Sequence, residues 1–216
     1  MKILIVYLKE DEKLKKCLDS LKEFSPEIEV IKRQADPTKT KVSEEVYQEY
    51  FNSNEFDDDV MLWHPDMIAT KNWYVDLMIY YHWFDVIGVK LIYPNGLVNH
   101  YGGAIRFDGL GFHPHQYSLN IGLNNPLETA YVTGPGMIVK KHVWEKIKYD
   151  FQFFQYIDVD FCFQAREKGF KVGVVPVTLI HKEGEDGFKI RTPEKNAQML
   201  KENHEKFVAK WMHILK

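Results

Sequence analysis

The chain has 216 residues, of which 45% are hydrophobic, enough to bury one sizeable core or two small ones. Its formal net charge of −3 argues against a nucleic-acid-binding or membrane-surface protein. No stretch reaches the ~18 apolar residues of a membrane-spanning helix, and the N-terminus lacks the pattern of a signal peptide. We therefore expect a soluble, cytoplasmic protein whose two cysteines, Cys17 and Cys162, are reduced and buried.

Apolar periodicity and turn residues predict strands and helices that alternate along the chain. The first three elements are strand, helix and strand at the spacing of a βαβ unit, so we expect the sheet to begin parallel. We find no linker and no internal repeat, which predicts a single domain over residues 1–216. The predicted strands cover 2–8, 28–31, 59–64, 86–93, 131–139 (interrupted by Gly134-Pro135-Gly136) and 172–177. The predicted helices cover 11–23, 43–51, 72–82, 141–147, 158–168 and 194–214.

Residues 99–126 interrupt this alternation. They are rich in Gly, His, Asn and Pro and show little periodicity. A loop of this length in a small domain is usually a lid or a binding segment. His113 and His115 invite a metal interpretation, but no third ligand lies nearby in the sequence, and we expect no zinc site here.

The stretch that ends at Asp66 carries the first functional signal. Val60–Trp63 is an apolar run suited to one buried strand, and Pro65 ends it because proline cannot donate to a sheet ladder. Asp66 therefore follows a strand end, which is where open α/β sheets bind ligands. A carboxylate there suits Mg²⁺ or Mn²⁺ holding a diphosphate. The alternative, that Asp66 caps the helix predicted at 72–82, stays open.

A second acidic group begins the helix predicted at 158–168. Free N–H groups and the helix dipole favour a carboxylate there, which is sufficient to explain Asp158 as a helix cap. The functional alternative is a general base whose proton affinity is raised by apolar neighbours. His181 follows a strand and by itself indicates only a loop histidine. Gly134 belongs to a Gly-Pro-Gly segment that lets the backbone approach a substrate closely.

The order of these segments resembles the family 2 glycosyltransferases. The resemblance runs over nearly the whole chain, and its most specific parts are Tyr93-Pro94-Asn95-Gly96 with the following Gly102-Gly103, and the segment around Asp158. The other matching segments are the first strand ending at Tyr7, His64-Pro65-Asp66, Asp85–Val89, Thr133–Lys141, Gly169-Phe170, Pro176, His181, and the pair Phe207 and Trp211.

This resemblance implies the GT-A fold, with a single mixed, mainly parallel sheet flanked by helices. It implies an inverting hexosyltransferase that moves glucose, galactose or rhamnose from a nucleotide-diphosphate donor, most simply UDP-linked, to a hydroxyl of a glycan or glycoprotein. Asp158 would be the general base, and Asp66 and His181 would hold Mn²⁺ or Mg²⁺. The 99–126 loop would close over the donor. The implied donor contacts are Tyr7, Asp36, His64 and Gly134.

Three departures from the family pattern leave an alternative open. His64 replaces the first acid of the metal motif, and Ile157 stands where the family has Glu. The usual acidic, Ser-rich nucleotide loop is absent, although Asp36 can partly substitute for it. A catalytically inactive glycan- or nucleotide-binding module on the same fold would also fit. A phosphate-sugar nucleotidyltransferase is disfavoured, because no glycine-rich loop follows Tyr7.

Overall fold

Strands and helices follow one another nearly in the predicted order. A computed structural model describes residues 1–35, 44–53, 57–150, 152–153, 155–182 and 192–215. The predicted donor contact Asp36 lies outside the described residues. The elements are β1 Lys2–Tyr7, α1 Glu12–Phe24, β2 Val30–Gln34, α2 Glu44–Asn52, β3 Val60–Trp63, β4 Met67–Ile68, α3 Trp73–Tyr80, β5 Val86–Ile92, β6 Val98–His100, β7 Ala104–Ile105, β8 Gly111–Phe112, β9 Leu127–Glu128, β10 Ile138–Val139, α4 Lys141–Trp144, α5 Ile157–Glu167, β11 Val172–His181 and α6 Pro193–Leu215.

Nine strands form one sheet in the order β2-β1-β3-β10-β5-β11-β4, with β6 beside β5 and β9 beside β11. β1 pairs in parallel with β2 and β3, and β5 pairs in parallel with β11. The two-residue strand β10 runs antiparallel between β3 and β5, so all five longer strands point the same way. The sheet is mixed and mainly parallel, as predicted, and its parallel start is confirmed.

Helices cover both faces of the sheet. Successive residues of β1 point to opposite faces, Leu4 and Val6 into one core and Ile3 and Ile5 into the other. The first core also takes side chains from α2, α4, α5 and α6, and the second from α1 and α3. Among the described residues, no helix is long and apolar enough to cross a membrane.

The two cysteines are buried and free, as the sequence predicts. Cys17 lies in one core and Cys162 in the other. Burial raises the pKa of the Cys17 thiol to about 12 and raises that of Cys162 further. Neither thiol is therefore set up as a nucleophile.

The strand predicted at 131–139 is too long, although its interruption at 134–136 is present as a tight turn. Only β10, after this turn, is a strand. Gly136 has φ of 76°, and a Cβ built there would lie 2.6 Å from Val89 Cγ2, so only glycine fits. β10 runs antiparallel to its neighbours, which places this turn at the carboxyl end of β3 and beside the middle of β5.

β11 is longer than the strand predicted at 172–177. Its pairing with β5 shifts register between Val175 and Thr178, and this irregularity accommodates Pro176, which cannot donate to the ladder. The strand then continues to His181. The extension brings His181 to the carboxyl edge of the sheet, beside the end of β3.

The segment 99–126 is largely irregular, as predicted, but it is tied to the sheet. β6 pairs with the end of β5, and β7 and β8 form a separate two-stranded ladder. The backbone N–H of Tyr117 donates to Val98 O at 2.8 Å, and Val98 N–H donates to Ser118 O at 2.9 Å. The segment is thereby fastened to the carboxyl edge of the sheet.

Candidate active site

Three side chains with metal-ligand chemistry meet at the carboxyl ends of β3 and β11. His64 and Asp66 follow β3, and His181 ends β11. β4 pairs antiparallel with β11 and places Met67 opposite His181, so the preceding Asp66 lies beside the histidine. One ligand atom from each of His64, Asp66 and His181 lies within 4.8 Å of the other two. These residues form a candidate metal site.

Asp66 is not a helix cap. It leads into β4, whereas α3 begins at Trp73 and is preceded by its own cap residue, Asn72. The carboxylate is also not on the open surface, although its position just past a strand end predicts a surface-facing side chain. Asp66 is only 8% exposed, and its backbone carbonyl accepts a hydrogen bond from Lys182 N–H at 3.1 Å. Burial and the backbone hydrogen bond to Lys182 therefore fix the position of Asp66.

The Asp66 carboxyl is ionised. Burial by itself would raise its pKa, but the neighbouring rings of His181 and His64 outweigh burial and lower the pKa to about 2. Its Oδ1 atom is buried and makes no well-directed hydrogen bond to any described residue, although it lies 3.4 Å from His181 Nε2. A buried anionic oxygen without a well-directed hydrogen bond is suited to binding a cation.

The orientation of the His181 ring supports the same conclusion. Nδ1 lies 3.0 Å from Asn99 Oδ1, so it carries the proton and donates to the amide oxygen. Nε2 of the same ring faces the Asp66 oxygen at 3.4 Å, so the two atoms can bind one cation between them. Two imidazoles and one carboxylate suit Mn²⁺ better than Mg²⁺, which prefers oxygen ligands.

Asp158 lies in the first turn of α5. Tyr156, in the left-handed region with φ of 69°, is the cap residue and Ile157 begins the helix, so Asp158 is not the N-cap. Its Oδ2 accepts from Gly134 N–H at 3.1 Å and its Oδ1 from Val159 N–H at 2.9 Å. Burial raises the pKa of Asp158, and these N–H groups offset burial only in part. Such a carboxylate is suited to accepting a proton.

A cavity of about 230 Å³ joins His64 to Asp158. Gly134 forms part of its wall, and a Cβ built there would meet no atom within 4 Å. Tyr47 lines the cavity beside His64, with the two rings nearly parallel and their centroids 6.1 Å apart. Gln155 also lines it, and the buried Oε1 of Gln155 has no hydrogen-bond partner among the described residues. The cavity therefore offers an unpaired acceptor to a ligand hydroxyl.

The structure brings most of the predicted site residues together. His64, Gly134 and Asp158 line one cavity, and Asp66 and His181 adjoin it through His64. Tyr7 ends β1 at the same edge of the sheet, but it packs partly buried against the second core and is not among the cavity-lining residues.

Sequence reasoning missed Asn99, Tyr47 and Gln155. Asn99 is a buried polar residue between Val98 and His100 in a short strand, where an amide needs a hydrogen-bond partner. That position was the available signal. Tyr47 and Gln155 give no such signal, because their role depends on helices that pack against the sheet from distant parts of the chain.

No protein-family model matches the sequence, and no curated protein matches it. Several solved structures are similar to the chain. The crystal structure of GalNAc-T7 with UDP, GalNAc and Mn²⁺ is similar, with a TM-score of 0.73 and 14% identity over 99% of this chain and 49% of the GalNAc-T7 chain. S. aureus TarS 1–349 is similar with a TM-score of 0.53 and 12% identity over 97% and 72% of the two chains. A197 from STIV has a TM-score of 0.50 and 14% identity over 82% and 83%.

At these identities the likeness establishes the fold. The chain has an α/β fold with a mixed, mainly parallel sheet flanked by helices, and it matches GT-A glycosyltransferase structures as the sequence predicted. The chain spans about half the length of the GalNAc-T7 chain that it matches. The candidate metal group at the carboxyl edge of this sheet is the feature that turns a shared fold into a functional hypothesis.

Proposed function

We propose that this chain is a single, metal-dependent glycosyltransferase domain that inverts the anomeric centre. It transfers a sugar from a nucleotide-diphosphate donor, most simply a UDP-linked hexose, to a hydroxyl of a glycan or glycoprotein. His64, Asp66 and His181 hold Mn²⁺, and Asp158 is the general base. Support comes from the GT-A fold and from the candidate metal group.

The observation that carries this proposal is the cavity between the candidate metal site and the candidate general base. One side of it is His64, a candidate metal ligand, and the other is Asp158, a carboxylate with a raised pKa. Its ≈ 230 Å³ is below the ~300–1,000 Å³ of pockets that enclose drug-sized ligands, which suits one sugar ring rather than a whole nucleotide sugar. The donor sugar would lie between the metal and the base.

Bound Mn²⁺ would supply a Lewis acid that offsets negative charge on the departing nucleotide diphosphate. The chain prepares for this by keeping Asp66 ionised and by orienting His181 through Asn99. The imidazoles of His64 and His181 complete the ligand set. His64 stands where the family's metal motif has its first acid, and as a ligand it replaces that acid without weakening the motif.

Asp158 would remove the proton from the acceptor hydroxyl as the hydroxyl oxygen attacks the anomeric carbon. Its Oδ2 and Oδ1 are fixed by the N–H groups of Gly134 and Val159, so the carboxylate is held in one orientation before the acceptor arrives. The unpaired Oε1 of Gln155 is placed to accept from a sugar hydroxyl in the same cavity. The proton passes to Asp158, and the nucleotide diphosphate leaves from the opposite face.

A screen of nucleotide sugars tests the proposal. Donors linked to UDP, including glucose, galactose and N-acetylgalactosamine, and a rhamnose donor would be incubated with Mn²⁺, Mg²⁺ or chelator, and nucleotide diphosphate release measured. We expect release from one donor with Mn²⁺ and none with chelator. Release that is unaffected by chelator would contradict the metal role.

Calorimetry on Asp66→Asn tests the metal site without any turnover. Mn²⁺ binding in the presence of UDP should weaken by more than the ~10–100-fold typical of changes to residues that orient a ligand. The matched control is Asp76→Asn, since Asp76 is exposed on α3 and its substitution should leave the affinity unchanged. Equal affinity in both variants would remove Asp66 from the metal site.

An inactive glycan- or nucleotide-binding module on this fold makes a different prediction. Such a module would bind a nucleotide diphosphate but release none from any donor. Asp158→Asn would then have no effect on ligand binding or on any measured rate. The raised pKa of the Asp158 carboxyl inside the cavity favours the enzyme over the module, because a binding surface gains nothing from a buried carboxylate of this kind.

A further inference from the structure

Two tyrosines form a stacked pair at the carboxyl edge of the sheet, and the outer one is exposed. The rings of Tyr93 and Tyr117, which we call the tyrosine stack, are nearly parallel, with centroids 5.4 Å apart and 5° between their planes. Tyr93 is half-buried and covers one face of the Tyr117 ring, whereas Tyr117 is 66% exposed. The stack therefore presents one broad aromatic face to solvent.

The backbone of Tyr117 is held in a conformation that a bulky residue rarely adopts. Its φ of 62° lies in the left-handed region, where glycine and asparagine are far more common than tyrosine. Two hydrogen bonds hold the stack in place: Tyr117 N–H donates to Val98 O at 2.8 Å, and Gln116 Nε2 donates to Tyr93 Oη at 3.1 Å. A tyrosine where the backbone favours asparagine indicates that the ring itself has a use.

The tyrosine stack lies along the sheet edge next to the candidate metal site. Tyr93 directly follows β5, whose last residue Ile92 pairs with the residue before His181. Neighbouring strands lie about 4.8 Å apart, so the chain at Tyr93 passes beside His181. Tyr117 is bonded to the residue before Asn99, and the Asn99 amide is the partner of His181 Nδ1. Both members of the stack are thus fastened to the strands that carry and orient a candidate metal ligand.

The surface around the tyrosine stack has an uncharged, mixed character. Residues 109–127 contain no Asp, Glu, Lys or Arg, although these four types make up 27% of the chain. Beyond Tyr117, the exposed side chains of Leu119, Asn120 and Ile121 alternate apolar and amide groups. Aromatic surface interleaved with neutral hydrogen-bonding groups suits a ligand that carries both C–H groups and hydroxyls. It offers no lysine or arginine to a nucleic-acid backbone or an anionic lipid.

We propose that Tyr117 is a stacking platform for an uncharged sugar residue of the acceptor glycan, supported from behind by Tyr93. A pyranose carries C–H groups on one face, which pack against an aromatic ring, and its hydroxyls at the rim can reach amide side chains. Tyr117 is not among the residues that line the cavity assigned to the donor sugar, so the two sugars have separate places. The inference rests on the proposed function for the word acceptor, but glycan binding itself does not need the reaction.

Binding to a glycan array without donor or metal tests the platform. The array would carry neutral oligosaccharides of glucose, galactose, mannose, rhamnose and N-acetylhexosamines beside sialylated and uronic-acid-containing ones. We expect the wild type to bind some of the neutral glycans. Affinity for the best of them, measured by titration, should fall about 3–10-fold in Tyr117→Asn and stay within about twofold in Tyr117→Phe, which keeps the ring.

The matched control is Phe107→Asn. Phe107 is an aromatic residue of the same 99–126 segment and is 85% exposed, but it lies beside α6, where the next residue accepts a hydrogen bond from His204. Its substitution should leave the glycan affinity unchanged. An equal loss in Phe107→Asn would overturn the proposal, because the effect would then not belong to the tyrosine stack.

Thermal unfolding of Tyr117→Asn separates the platform from a purely structural ring. Asparagine tolerates the left-handed backbone better than tyrosine, which offsets the lost stacking, so we expect a melting temperature within about 2 °C of the wild type. A clear drop in melting temperature with unchanged glycan affinity would mean that the ring only fastens the segment, and would overturn the proposal.

The remaining outcomes distinguish this inference from the proposed function. Binding to no neutral glycan, binding to anionic glycans only, or Tyr117-dependent binding to phosphatidylcholine vesicles would each overturn the platform. If neutral glycans bind as expected but no donor is turned over, the proposed function fails and the platform stands as a glycan-binding site. If sugar is transferred but Tyr117→Asn leaves the acceptor KM unchanged, the platform fails and the transferase stands.

Discussion

Asp158 and Asp160 are two carboxylates two residues apart in the same turn of α5, and the protein uses them in opposite ways. Asp158 faces the cavity and is held by two backbone N–H groups. Asp160 faces α6, is 1% exposed, and accepts hydrogen bonds from three side chains. Those donors are Trp211 Nε1 at 2.8 Å, Lys210 Nζ at 3.1 Å and Gln164 Nε2 at 2.7 Å.

The difference shows what distinguishes a carboxylate that stabilises the fold from one that can act as a general base. Around Asp160, charged and polar side chains from two helices satisfy the oxygens and join α5 to α6. Burial of Lys210 would lower its pKa, but hydrogen bonds to Asp150 and Asp160 raise it above its ordinary value, whereas burial raises the pKa of Asp160 despite its three donors. Around Asp158 no described lysine or arginine side chain is bonded to the oxygens, and the backbone N–H groups offset burial only in part. The predictions below separate the two roles.

The largest expected effect is on the rate of Asp158→Asn. An amide keeps nearly the same shape but cannot accept the acceptor's proton, so transfer at saturating substrates should fall by about 10²–10⁴-fold. Binding of Mn²⁺ and nucleotide diphosphate should be nearly normal, because no candidate metal ligand has changed. Steady-state kinetics and calorimetry on the same preparation check both halves.

The control for this variant is Asp160→Asn. Its activity per folded molecule should stay within a few-fold of the wild type, since Asp160 faces away from the cavity. If Asp160→Asn is the inactive variant and Asp158→Asn transfers sugar normally, the base has been assigned to the wrong residue of the pair.

The second effect is on the stability of Asp160→Asn. The three donors that converge on two carboxylate oxygens would meet an amide with one oxygen and an NH₂ group that itself donates. Hydrogen bonds to charged groups are worth about 1.5–3 kcal/mol, and we expect a loss of about 2–3 kcal/mol in the free energy of unfolding. That corresponds to a melting temperature lower by about 4–10 °C at this chain length. A loss no larger than that of Asp158→Asn would contradict the structural role.

The difference between these two acids could be predicted only in part from the sequence. The sequence indicated the GT-A fold, the acids after β3 and at the start of α5, and His181 after a strand. It placed Asp160 on another face of the helix because residues two apart on a helix do not face the same way. It could not show the partners of Asp160, because Lys210 and Trp211 are fifty residues further along the chain.

The candidate metal site shows the same limit. The sequence places His64 and Asp66 at a strand end, but their distance from His181 depends on β4 pairing with β11, and no sequence pattern announced that two-residue strand. The prediction at 131–139 included the interruption at Gly134-Pro135-Gly136 but wrongly counted the residues before it as a strand, where the chain makes only an isolated bridge between Tyr131 and Gly103. Local patterns determine elements, and contacts between distant elements determine the site.

The third effect is on the pH dependence of stability. The folded-state pKa of Asp158 is raised above its ordinary 3.8, so the folded protein favours the protonated carboxyl. Its contribution to stability is complete below the unfolded pKa and is lost as pH rises through the folded one. Asp158→Asn removes this loss, so its stability relative to the wild type should increase from about pH 4 upward. Thermal unfolding across that range checks it, and a relative stability that falls with rising pH would mean that the carboxylate is stabilised as an anion.

The smallest effect we expect is that of Lys210→Met. The substitution keeps the aliphatic stem of the side chain, removes one of the three donors to Asp160, and leaves Trp211 and Gln164 in place. Lys210 is partly exposed, and its ion pair with Asp150 is screened by solvent, so we expect a loss of about 1 kcal/mol, or about 2–4 °C in melting temperature. Lys206→Met is the matched control, because Lys206 is exposed on the same helix and should change stability by less than about 0.5 kcal/mol. If Lys210→Met is as costly as Asp160→Asn, the ammonium rather than the indole holds the carboxylate; if it costs no more than Lys206→Met, Trp211 and Gln164 suffice to bind α5 to α6.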